Sequence, residues 1–103
     1  MGNTSFEDWF GNHVLLYEDV LDHALAKHPE FAHWIDQIGH ILANPDELRA
    51  SSCDPRVVMY YQHRLDIYGG KWLVVVVKRL ERHYISTFYI TNRIKSGVIL
   101  WKK

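Results

Sequence analysis

The stretch that most restricts what this chain can fold into is KWLVVVVKRLERHYISTFYIT, residues 71–91. Two runs rich in β-branched and aromatic residues flank Leu-Glu-Arg-His, which is strand composition broken at hairpin length. With Glu81-Arg82 as the turn, Leu73, Val75 and Val77 are expected on the same side as Ser86, Phe88 and Ile90. Trp72, Val74, Val76 and Lys78 then share the other side with Ile85, Thr87, Tyr89 and Thr91. The first side is expected to lie under helices. The second, with an indole, a phenol, hydroxyls and a cation, is expected to be free for solvent or a ligand.

The helices come from the first half. Tyr17, Val20, Leu21, Ala24 and Leu25 recur at helical spacing up to Lys27, with Glu18 and Asp19 favouring a helix start. His28-Pro29 interrupts that helix, because proline lacks the amide a continuing helix needs and disfavours helical geometry in the residue before it. Pro29 suits the first turn of a second helix, whose stripe is Phe31, Trp34, Ile35, Ile38, Ile41 and Leu42 and which ends near Asn44-Pro45. After a PDEL turn and an RASSCDP loop, four strands are expected at 57–62, 71–79, 84–91 and 98–102, joined by hairpin-length loops. The expected fold class is therefore α+β: two N-terminal helices packed on one face of a four-stranded antiparallel sheet. Residues 1–13 read as an N-terminal extension and 14–103 as one domain, in keeping with a length of 103 residues.

Charge divides along the chain. Residues 1–54 carry ten carboxylates against Lys27 and Arg49, and residues 55–103 carry ten cations against Asp66 and Glu81. Either the halves neutralise each other or the basic half meets a polyanion. No apolar run is long enough to cross a bilayer, and the start MGNTSFEDWF lacks a signal-peptide pattern. With one cysteine, Cys53, the expectation is a protein of the reducing cytoplasm, with no membrane partner.

Seven histidines raise the question of a metal. His23 and His28 are five apart, about 140° around a helix, whereas helical ligand pairs sit four apart. No metal site and no cofactor is expected. His23 and Lys27 are four apart and share one helix flank, an imidazole that can move a proton near neutral pH beside a cation that can hold a phosphate. His28 and Pro29 are expected to be structural, with a His28 ring nitrogen bonded to backbone at the junction. Later in the chain, Thr87 and Tyr89 on a strand and Arg93 and Lys95 in the segment after it combine hydroxyls with cations, as a phosphodiester would require.

The ordered blocks DHALAKHPE, NPDEL, DPRVVMYY, KWLVVVVK, ISTFYIT and RIKSGVILWK resemble those of the phage-associated barnase-EndoU-colicin-RelE-like nucleases, over residues 14–102. The family's histidine, four residues and HPE are similar to His23, Ala24 to Lys27 and His28-Pro29-Glu30, with Lys27 where arginine is frequent. The resemblance implies a metal-independent toxin-type endoribonuclease that cleaves tRNA or another RNA through 2′-hydroxyl attack on the adjacent phosphodiester, neutralised by a cognate antitoxin or immunity protein. On that footing His23, Lys27, Thr87 and Lys95 are the expected catalytic residues, and Lys78, Tyr89, Arg93 and Trp72 the expected substrate contacts. A catalytically inactive RNA-binding module and a protein-interaction module are the alternatives on the same fold.

Overall fold

The computed structural model describes residues 3–67, 69–94 and 97–103. Strands β1 (Thr4–Glu7) and β2 (His13–Leu16) come first. They are followed by helix α1 (Glu18–Lys27), a 3-10 helix (Pro29–Gln37) and helix α2 (Ile38–Ala43). Strands β3 (Glu47–Ala50), β4 (Val57–Arg64), β5 (Lys71–Arg79), β6 (His83–Thr91) and β7 (Val98–Lys102) complete the chain. All seven strands form one sheet in the order β1-β2-β6-β5-β4-β3-β7.

This corrects the expected fold class. The sheet has seven strands rather than four, the β2–β6 pair is parallel, and two strands precede the helices. The three added strands, TSFE, HVLL and ELRA, are four residues long, too short for an alternating pattern to stand out locally. The segment read as an extension supplies β1, and the PDEL turn holds the start of β3. The resemblance to the barnase-EndoU-colicin-RelE-like nucleases falls with the fold, since its four-stranded arrangement is not the one this chain builds.

The central β4-β5-β6 meander is as expected, but β7 does not continue it. β7 pairs with β3 instead, so the connection from β6 must pass over β5, β4 and β3. Ile94 on that connection packs against Met59, Tyr61, Val74 and Val76. At its end, a Cβ on Gly97 would meet the Ala50 carbonyl oxygen at 2.7 Å, so only glycine lets the backbone approach that closely. The second sheet face is thus largely covered, not free.

The main core lies on the first face. Leu73, Val75, Val77 and Phe88 do face the helices, as alternation requires, and Phe31 stacks on Phe88 at 4.5 Å. Ile85 joins them, against expectation, because the register shifts: Thr87 pairs with Val76 and Ile85 with Val77. Ser86 is the extra residue of a β-bulge, which returns Ile85 to the core side.

The hairpin between β1 and β2 is pinned from inside. Asp8, almost fully buried, accepts hydrogen bonds from the Phe10 and Asn12 amides (3.0 and 2.8 Å) and from the Tyr60 hydroxyl (2.6 Å). The Trp9 amide donates to the Leu42 carbonyl, and Gly11 takes the positive φ of 83° that closes the turn. Gly39 of α2 has no side chain where the Phe6 ring of β1 passes, and a Cβ there would sit 3.0 Å from it.

Candidate functional site

The placement of the site follows from where β2 stops. β2 runs parallel to β6 but pairs only at Val14↔His83 and Leu15↔Tyr84. Among the described residues β6 has no strand partner on that side from Ile85 onward. The chain passes from β2 into α1 within one residue, Tyr17, so α1 takes up the position beside the uncovered edge of β6. Ten helical residues span about 15 Å, close to the length of the five strand residues 85–89.

Against that edge α1 buries Ala24 and presents His23 and Lys27. These two, with His28, Ser86, Thr87 and Tyr89, line a cavity of about 390 Å³. The i, i+4 flank inferred from spacing and the hydroxyl-bearing strand, some sixty residues apart in sequence, therefore meet. His23, Lys27 and Ser86 are exposed, and Thr87 and Tyr89 are half-buried.

His28 differs from expectation. Its backbone closes α1, with the amide donating to the Ala24 carbonyl (2.8 Å) and its own carbonyl accepting from the Phe31 amide (3.0 Å). Among the described residues its ring nitrogens bond no backbone group. It lies 5.8 Å from the Tyr89 ring, and Nδ1 is 3.7 Å from the Glu30 carboxylate. The junction thus adds a second imidazole to the cavity, and Pro29 opens the 3-10 helix that follows.

Burial, reinforced by the neighbouring Tyr61, pushes the Tyr89 phenol up to about 12. At neutral pH it is a hydrogen-bond donor. Burial likewise raises Tyr60, helped by its bond to Asp8. Both folded values lie above the unfolded value near 10, so the unfolded chain loses these protons first and stability falls as pH rises from about 10 to 12. Tyrosinate absorbance should show both groups still protonated at about pH 11. Ionisation of all tyrosines near pH 10 without unfolding would contradict this.

The other expected contacts lie elsewhere. Lys78 is on the second face in register with Val57 and Tyr84, and Arg93 is exposed on the β6–β7 connection; neither lines this cavity. Trp72 faces a different cleft, with His63. Lys95 lies outside the described residues. Sequence reading missed Ser86, whose exposure depends on the bulge, and the direction of the His28 ring. Among the described residues no group of three His, Cys, Asp or Glu is placed to hold a metal ion, and no helix is long and apolar enough to cross a membrane. No family model, curated protein or solved structure matches the chain.

Proposed function

We propose that the chain is an endoribonuclease that cleaves by transesterification at the α1–β6 cavity. The observation that carries this is the meeting of two imidazoles, a lysine, two hydroxyls and a protonated phenol in one small cavity. In the step proposed, the ribose 2′-oxygen bonds to the adjacent phosphorus and the bond from phosphorus to the 5′-oxygen breaks, leaving a 2′,3′-cyclic phosphate. One imidazole takes the 2′-hydroxyl proton and the other, protonated, gives a proton to the departing 5′-oxygen. His23 and His28 are the pair. Lys27 stabilises charge on the phosphorane, and Ser86 and Thr87 donate hydrogen bonds to its oxygens.

That exchange needs one imidazole free and one protonated, and imidazole is the side chain type that changes charge near neutral pH. The predicted consequence is a bell-shaped dependence of kcat/KM on pH. The excess of cations in residues 55–103 supplies attraction for a polyanion whatever its sequence.

The test is incubation of the purified chain with total tRNA and with a synthetic RNA in EDTA, followed by chemical mapping of the ends. Cyclic phosphate ends are expected, and intact RNA at high protein concentration would overturn the proposal. Salt-sensitive binding without cleavage would leave an RNA-binding module instead. A toxin-type role, with a neutralising antitoxin or immunity protein, predicts that expression arrests bacterial growth and that His23→Ala relieves the arrest.

A further inference from the structure

A second cleft lies at the opposite edge of the central meander. It forms for the same reason as the first, because one strand outlasts its neighbour. β3 pairs with β4 only as far as Tyr61, and Gln62, His63 and Arg64 continue past it. With Trp72, Lys102 and others they line a cavity of about 1030 Å³.

Its chemistry is specific. The half-buried Trp72 indole is held edge-on by Tyr61 (6.2 Å, 90°) and tilted against His63 (4.7 Å, 59°), so the ring is fixed. The Gln62 amide, buried to 5% exposure, is held 2.8 Å from His40 Nδ1 and 3.2 Å from the Asn44 carbonyl. The cleft's carboxylates each have a cation: Asp46 with Lys103 (3.6 Å), Glu47 with Arg49 (2.5 Å) and Asp66 with Arg64 (2.9 Å). A half-buried indole held by two neighbouring rings, with Lys102 beside carboxylates that already have cations, matches an unpaired base and its phosphate.

The sheet register relates this cleft to the first. Trp72 pairs with Thr91, two residues beyond Tyr89, and Thr87 pairs with Val76, four residues along β5 from Trp72. At about 3.3 Å per residue and 4.8 Å between strands, the Tyr89 and Thr87 backbones lie roughly 8 and 14 Å from that of Trp72. An RNA joining the two clefts would pass over the β6–β7 connection that covers this face, a path of about two to four nucleotides. Arg93 stands on the segment leaving Thr91, where the Thr91 hydroxyl donates to the Arg93 carbonyl at 3.0 Å.

We propose that the Trp72–His63 cleft holds an unpaired nucleobase of the RNA whose backbone occupies the α1–β6 cavity, two to four nucleotides from the cleaved bond, with Arg93 on an intervening phosphate. This rests on RNA being the ligand. The experiment compares cleavage of a decamer and a dinucleotide, and binding of a non-cleavable 2′-O-methyl decamer by fluorescence anisotropy, for wild type, Trp72→Leu and Arg93→Ala. Trp72→Leu should lower the ratio of decamer to dinucleotide kcat/KM by about 5- to 150-fold, the range that base stacking spans. Arg93→Ala should reduce the slope of log affinity against log salt by about 0.7. Wild-type ratio and affinity in a Trp72→Leu protein that melts as wild type does would overturn the cleft while leaving the nuclease proposal standing. Binding that Trp72→Leu weakens, in a wild type that does not cleave, would uphold the cleft and remove the nuclease. No binding and no cleavage would remove both.

Discussion

His23→Ala should lower RNA cleavage by about 10²- to 10⁴-fold, the range that a positioned proton-transfer group contributes. His23 is exposed on α1, so its removal costs little packing, and the loss should fall on kcat with the melting temperature held. One arm of the pH profile should disappear with it, because the other imidazole remains. Lys27→Ala should also reduce cleavage, whereas Lys27→Arg, which keeps the charge, should retain more of it. If His23→Ala cleaves as wild type does, the residue has no part in proton transfer and the cavity loses its base or its acid. If the bell shape persists in His23→Ala, the second proton group is not the one assigned.

The largest effect on stability should come from Asp8→Ala. That substitution leaves the Tyr60 hydroxyl and the Phe10 and Asn12 amides without the carboxylate that serves all three. Arg79, which also acts on Tyr60 and lies 4.2 Å over the Phe10 ring, belongs to the same region. Two Arg79 nitrogens, Nε and Nη2, are already buried without a hydrogen-bond partner. A hydrogen bond to a charged group contributes about 1.5–3 kcal/mol, so losing three of them, two only partly buried, should cost about 3–5 kcal/mol of the roughly 5–15 kcal/mol that holds a domain folded. At about 4–8 °C per kcal/mol, a fall in melting temperature of roughly 12–40 °C should follow. Tyr60→Phe, which removes one of the three donors, should cost only about 1.5–3 kcal/mol. A melting temperature for Asp8→Ala within about 3 °C of wild type would show that the hairpin is not pinned through this carboxylate.

Some of this was readable from residue order and some was not. α1 and the break at His28-Pro29 were legible because both are local: a stripe of period 3.6, and a proline without an amide. β4, β5, β6 and β7 were legible as strands for the same reason. What β7 pairs with was not. Hairpin-length spacing suggested β6, whereas the chain crosses the second face to reach β3, a choice between partners that local propensity does not distinguish. The bulge at Ser86 was equally hidden, since one extra residue changes the facing of Ile85 without leaving a mark in composition.

The candidate site divides the same way. Sequence alone determined that His23 and Lys27 share a flank, that Thr87 and Tyr89 sit on one strand, and that the second half of the chain is basic, because helical and strand periods and charge are properties of neighbouring residues. Only the tertiary structure decided that the flank and the strand meet. That meeting depends on β2 ending after two pairs with β6, on α1 taking the edge left open, and on the His28 ring turning towards Tyr89. It also placed Trp72 with His63 at the far edge of the meander. The physical reason is that strand order and strand length past a neighbour are settled by long-range pairing and burial, which no short window of residues contains.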